Sequence, residues 1–318
     1  MAPLDDTTAA NRFDTFNVYR APFKKIGDHE IEAGILVPKN LKPGKKTVIV
    51  KFHGGCLIMG ECLYPDWYAA FFIPFTTRNN AIVVTPNYRF TPEHTGADIV
   101  QDLHDFWTWF HGGGVEKFLN ANTADKNIDI DYSRLLVAGE SAGGYMALMS
   151  GLAQPKGVIK AILAQYPMTE YFRRGPESAF PDMPVPPSSA IDEHMASVTP
   201  GTVISSAVPP LRADLISALS THDRYLEFFG DDKALWPVHL IEQKDWLPPT
   251  WIIHGDKDKV VAVQDSQAFV EKAKRLEGAQ ILFSVREGED HGFDVATKED
   301  EEAWLKEGLV WVEERWLA

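Results

Sequence analysis

Residues 134–153 read RLLVAGESAGGYMALMSGLA. The first five, RLLVA, are the near-continuous apolar run expected of a strand buried on both faces. The last nine, YMALMSGLA, are apolar with strong helix formers and read as a buried helix. Between them stands Gly139-Glu140-Ser141-Ala142-Gly143-Gly144, a G-x-S-x-G stretch in a strand-to-helix setting. A turn this sharp holds its serine in a strained backbone conformation with the hydroxyl projecting, and the flanking glycines give it room. The helix N-terminus behind it offers free N–H groups and positive potential to a developing anion. Ser141 is therefore the candidate nucleophile.

Working outward, the same kind of run recurs. Thr47–Phe52 stops at His53-Gly54-Gly55, Ala81–Thr85 at Pro86-Asn87-Tyr88, Ile159–Gln165 at Tyr166-Pro167, and Thr250–Ile253 at His254-Gly255. Ile281–Val285 runs toward Glu287–Gly292. Helical patterns over Thr95–Phe110, Ala142–Leu152, Val263–Leu276 and Glu299–Trp316 separate them. In the last, Trp304, Leu305, Leu309, Val312, Trp316 and Leu317 recur at helical spacing. This alternation predicts an α/β fold, a mostly parallel central sheet with helices on both sides. Residues 1–46 carry only a weak strand pair around Ile31–Val37. Residues 168–245 break the pattern: Tyr171–Pro187 is rich in proline and aromatics, and helical segments follow at Ile191–Val198, Leu211–Leu219 and Asp223–Phe229. An insertion of that length between core strands reads as a cap or lid. The expected organisation is one domain over 1–318, with a cap at about 168–245 plus part of 1–46.

A nucleophilic serine needs a base and a group that orients it. Of the ten histidines, His291 stands out, in Glu289-Asp290-His291-Gly292-Phe293 directly after the last strand. Loops at the C-terminal ends of parallel strands are where such sheets present functional groups. The acid should lie between serine and histidine in the chain. His254-Gly255-Asp256-Lys257-Asp258 follows a strand and offers Asp256 and Asp258. Asp256 suits the turn itself; Asp258, further out, is favoured as the carboxylate that reaches the histidine. His53 reads as a loop organiser and His254 as a packing residue. For the oxyanion, the glycine loop lets backbone N–H groups approach closely, so Gly54, Gly55 and Cys56 are candidate donors together with Ala142, the residue after the nucleophile.

These motifs resemble the hormone-sensitive-lipase-like esterases of the α/β-hydrolase fold. The likeness rests on FHGGC at 52–56, NYRFTPEH at 87–94 with Asp98 and Asp102 following, DYSRLLVAGESAGG at 131–144 and EDHGF at 289–293. It implies a Ser141–Asp258–His291 triad, a two-part oxyanion hole, no cofactor or metal, and hydrolysis of carboxylic esters. Two departures stand out. Cys56 occupies the place of a customary third glycine, and HGDKDKVV looks more like the acid loop of oligopeptidase-type members of the fold. The expected substrate is a small to medium ester, apolar or aromatic, with Tyr166, Tyr171, Phe172, Phe180, Trp236 and Trp246 building much of its pocket. A lactone, thioester, amide or peptide substrate stays open, as do a lyase using the same triad and a non-catalytic ligand receptor.

Charge narrows the partners. The 318 residues carry 45 acids and 31 bases, a net charge of −14, which argues against nucleic acid and anionic membrane surfaces. No apolar run approaches the roughly 20 residues of a membrane span. The start, MAPLDDTTAANRF, lacks a basic stretch followed by an apolar one, so a cytoplasmic location is expected. Cys56 and Cys62 read as reduced thiols. A small-molecule substrate is the expected partner, and a homodimer stays open.

Overall fold

The computed structural model describes residues 8–170 and 185–318. Among them one sheet contains β1 (Phe16–Ile26), β2 (His29–Pro38), β3 (Lys46–Phe52), β4 (Ile82–Pro86), β5 (Ile130–Glu140), β6 (Ala161–Gln165), β7 (Thr250–Gly255) and β8 (Ile281–Arg286). The order across it is β1-β2-β4-β3-β5-β6-β7-β8. β1 and β2 pair antiparallel with each other, and β2 with β4; the remaining pairs are parallel. The helices are α1 (Phe72–Arg78), α2 (Gly96–His111), α3 (Gly114–Asn122), α4 (Ala142–Ala153), α5 (Ser189–Ser197), α6 (Ala213–Thr221), α7 (Tyr225–Phe229), α8 (Pro237–Leu240), α9 (Val263–Ala273) and α10 (Ala303–Trp316).

The continuous apolar runs follow from this arrangement, because both faces of the central strands are covered. Val48, Val50 and Phe52 of β3 and Leu135 and Val137 of β5 pack with Leu103 and Phe106 of α2 and Tyr145 and Leu148 of α4. Ile49, Leu136, Leu163, Trp251 and Ile253 face the other way, onto Phe72 and Phe75 of α1 and Leu305, Leu309, Val312 and Trp316 of α10. α10 begins at Ala303 rather than Glu299, and Glu299 is instead ion-paired with Arg78. Trp304 and Leu317 of its predicted stripe are only partly buried. The weak strand pair of the first 46 residues is a long hairpin, β1 against β2, that extends the sheet at one edge. In β1 only Phe16 and Ala21 are buried and the other positions are partly or fully exposed, so its signal is fainter than that of the inner strands.

Gly308 of α10 lies against β7: a Cβ there would come within 1.9 Å of the Trp251 ring. Helix propensity alone favours alanine by about 1 kcal/mol. A buried indole held between sheet and helix cannot yield that far. Gly308→Ala is expected to destabilise the fold by roughly 2 kcal/mol. A urea melt reads it, and a stabilised variant would contradict it.

Residues 87–94 tie the insertion to the sheet. Arg89 forms ion pairs with Asp98 and Asp102 of α2. Glu93 receives both Nη atoms of Arg212, and its carboxylate also meets Nε2 of His194 in α5. Arg212 donates further to the carbonyls of Ile58 and Thr91. The insertion between β6 and β7 contains α5 to α8; residues 171–184, which include Tyr171, Phe172 and Phe180, lie outside the described residues. Cys56 and Cys62 are buried and not disulfide-bonded. No described helix is long and apolar enough to cross a membrane.

Candidate active site

Ser141 is the single residue between the end of β5 and the start of α4, at φ 57° and ψ −117°. A side chain rarely adopts this conformation, and the surroundings hold it there. Its N–H donates to the Gln165 carbonyl at 2.9 Å, and its own carbonyl accepts from Tyr145 and Met168. The flanking glycines answer to close backbone approach. A Cβ on Gly143 would lie 2.1 Å from the Phe52 carbonyl oxygen, and one on Gly139 would lie 2.2 Å from that of Gly143. The elbow is thus pressed against the end of β3. Ala142 opens α4, where the first N–H groups have no partner inside the helix.

Asp258, on the loop after β7, has a fully buried side chain. Its Oδ1 accepts the N–H groups of Val260 and Val261 at 2.8 and 2.7 Å. Its Oδ2 lies 2.7 Å from Nδ1 of His291 and 3.2 Å from Nε2 of His254. Burial alone would raise this carboxyl's pKa; the two histidines and the backbone donors outweigh it and hold the group well below the usual carboxylate range. Asp256 instead accepts the Gly288 N–H at 2.7 Å and shapes the turn. His254 does more than pack. Its Nε2 also lies 2.9 Å from the Val261 carbonyl, and its Nδ1 2.9 Å from the Ser266 hydroxyl. A carbonyl and a carboxylate only accept, so the proton sits on Nε2 and the ring braces Asp258 from behind.

Nδ1 of His291 donates to Asp258 by the same reasoning, which leaves its Nε2 as an acceptor. The ring packs 4.4 Å from the Tyr166 ring. Tyr166 donates its hydroxyl to Oδ1 of Asp294 at 2.9 Å, and Gln165 donates to Oδ2. Asp294 is buried, and burial raises its pKa against the pull of these two donors. Asp290 caps the loop by accepting the N–H groups of His291 and Lys259.

Beyond β3, Gly55 adopts φ 101°, and a Cβ there would lie 2.0 Å from the Met59 carbonyl oxygen, so only glycine fits. His53 donates from Nδ1 to the Gly54 carbonyl at 2.8 Å and stacks on Tyr88 with centroids 4.5 Å apart. Burial pushes its pKa down to about 4, so the ring is neutral at neutral pH. Of the candidate oxyanion donors, the Gly54 N–H donates to Oε1 of Glu140 at 3.2 Å; Gly55, Cys56 and Ala142 are the candidates carried forward.

Ser141, His291, Gly55 and Cys56 line one cavity of about 170 Å³. Among the described residues the Ser141 hydroxyl makes no hydrogen bond to the His291 ring. Bonds of this kind are often long without substrate and tighten when it arrives. The walls differ from the expected aromatic set. Tyr166 lines the cavity, but Trp236 packs against Phe229 and Tyr145 in the core, and Trp246 lies elsewhere. Met59, Trp67, Ala69, Ile216, Val260 and Val295 supply most of the apolar surface instead. Nothing local in the sequence marks these residues. Among the described residues no group of three or more His, Cys, Asp or Glu side chains could hold a metal ion.

Comparison with known proteins fits this architecture. A family model described as alpha/beta hydrolase fold matches residues 49–222, and a prolyl oligopeptidase family model matches residues 221–316. The second match spans the HGDKDKVV loop. A probable carboxylesterase, M8, of Phoma sp. is 29% identical over 98% of this chain and 100% of its own length. The non-reducing polyketide synthase atr1 of Stereocaulon alpinum is 25% identical over 96% of this chain, a stretch that makes up 13% of the synthase. The apo form of Thermogutta terrifontis esterase 2 superposes with a TM-score of 0.60 at 19% identity, covering 97% of this chain and 96% of that one. The first family model takes in more than half of the residues, from β3 through the serine elbow, and the chain belongs to the α/β-hydrolase fold family.

Proposed function

We propose that the protein is a carboxylesterase-type serine hydrolase acting through Ser141, His291 and Asp258. The observation that carries this reading is the Asp258–His291 pair, 2.7 Å apart, with the imidazole in the wall of the cavity that Ser141 also lines. His291 Nε2 takes the Ser141 proton as the hydroxyl oxygen attacks the substrate carbonyl. Asp258 fixes the tautomer and stabilises the imidazolium. N–H groups of Gly55, Cys56 and Ala142 receive the oxyanion. His291 then protonates the departing alcohol, and a water activated in the same way releases the acid. The scheme calls on no cofactor.

A cavity of about 170 Å³ with mostly apolar walls supports a small to medium, uncharged ester. Ile216 of α6 in its wall supports a cap role for residues 168–245. A fluorophosphonate probe is expected to label one residue, Ser141, read by peptide mass. Turnover of p-nitrophenyl acetate and butyrate is expected to exceed that of the palmitate. A protein that neither labels nor hydrolyses would favour a ligand-receptor role. The likeness to a stretch of a polyketide synthase favours a second reading, an acyl thioester in place of the oxygen ester. Parallel assays on an oxygen ester and a thioester of the same acyl group separate the two.

A further inference from the structure

Glu140 stands immediately before the proposed nucleophile, buried, and is one of the residues that line the cavity. Lys51, also buried, comes from the neighbouring strand β3 and places Nζ 2.8 and 3.0 Å from the two carboxylate oxygens. The same ammonium lies 4.4 Å from the centroid of the Tyr68 ring. For packing alone this pair is a poor choice. Replacing a buried ion pair by apolar side chains of like volume is often neutral or stabilising. Its position gives it another use, because Oε1 of Glu140 holds the Gly54 N–H. Around that contact the loop and the elbow are separated by little more than backbone. A Cβ on Gly54 would lie 3.1 Å from the Glu140 carbonyl oxygen and 3.4 Å from the Ser141 Cβ.

We propose that Glu140 and Lys51 are positioning residues for the oxyanion site. The Glu140 acceptor grips the Gly54 N–H and so holds the next N–H, that of Gly55, in register with Ser141. Lys51 keeps the carboxylate from opposing the negative charge that develops beside it. The hydroxyls of Tyr68, Tyr88 and Tyr166 lie within electrostatic reach of the carboxylate, and burial raises each pKa further above neutral, so they carry no charge there. His53 is neutral there too. Among the described residues Lys51 is thus the cation that balances Glu140.

The inference rests on Ser141 being the nucleophile, and the experiment keeps the two apart. Two double variants of the full chain, Lys51→Met/Glu140→Gln and Lys51→Met/Glu140→Met, are both neutral and similar in volume. They differ in whether position 140 accepts the Gly54 N–H. With active sites counted by fluorophosphonate labelling, the glutamine variant is expected to exceed the methionine variant in kcat by on the order of 10²-fold, with KM changed by less than about threefold. Equal kcat in the two would overturn the proposal. The single variant Lys51→Met gives a second readout should the methionine pair not fold. Without its cation, Glu140 ionises at higher pH, and its charge then opposes the oxyanion. Lys51→Met should therefore lose kcat on an added alkaline limb that Lys51→Met/Glu140→Gln lacks; superimposable alkaline limbs would overturn the proposal. Failure of the unmutated protein to label at Ser141 would instead remove the nucleophile assignment itself.

Discussion

Ser141→Ala is expected to lower kcat toward p-nitrophenyl acetate by about 10⁶-fold, leaving the slow hydrolysis that binding and the oxyanion donors alone support. Among the described residues that line the cavity, Ser141 is the only serine or threonine. Ser141 occupies the crossing from β5 to α4, and the backbone there is pinned by the Gln165 carbonyl and by the contact of Gly143 with β3. Alanine meets the same backbone strain at φ 57° and loses no hydrogen bond formed by the hydroxyl. The melting temperature should therefore stay level or rise slightly, as is common when an active-site group is removed. A variant within about 100-fold of the parent, with the folded state intact, would take the nucleophile assignment away.

The second large effect falls on the acid. Asp258→Asn is expected to reduce kcat by about 10⁴-fold, the size seen when an orienting carboxylate becomes an amide. The reason lies in the donors around it. Oδ1 is held by the N–H groups of Val260 and Val261, so an asparagine oxygen takes that side. Its NH₂ then faces the N–H groups of both His291 and His254. His291 must turn or change tautomer, and Nε2 is no longer free to receive the serine proton. Unlike Ser141→Ala, this change should also lower the melting temperature, because a carboxylate satisfied by four neighbours is replaced by a group that repels two of them. Asp256→Asn, which disturbs a bond from the Gly288 N–H and a 4.0 Å ion pair with the exposed Lys257, should leave kcat within about threefold. Similar losses in the two variants would undo the distinction. Since Asp258 ionises well below the usual carboxylate range, the acid limb of the rate profile is not expected to belong to it.

Much of the fold was legible because the inner strands are buried on both faces. TVIVKF, RLLVA and TWII announce themselves as apolar runs with turn residues after them. The first hairpin was fainter, since most positions of an edge strand such as β1 are partly or fully exposed, and short α1 and α3 carry too few turns for a clear period. Ser141, Asp258 and His291 could be singled out because each follows a strand within a distinctive local pattern. Their supports could not. His254 looked like a packing residue until the turn after β7 folded Asp258 back onto it. Asp294 acquires its partners from Gln165, the last residue of β6, and from Tyr166 just after it, more than 120 residues earlier. The glycine loop is read locally, and the bond from its Gly54 N–H to a carboxylate on another strand is not visible there. The cavity walls were misjudged for the same reason: an aromatic's place in core or cavity is set by distant neighbours, so that Trp236 packs in the core and Trp67, which no local pattern marked, lines the cavity.

The bond network of Arg212 bears on how this protein can be re-engineered. One guanidinium from the insertion satisfies the carboxylate of Glu93 and reaches the Ile58 carbonyl, two residues past Cys56. A chimaera that grafts another enzyme's segment between β6 and β7 would maroon Glu93 as a desolvated anion, a penalty of about 3–5 kcal/mol. It would also release the strap on the glycine loop. The two side chains are best regarded as one transplantable unit, carried over or deleted together.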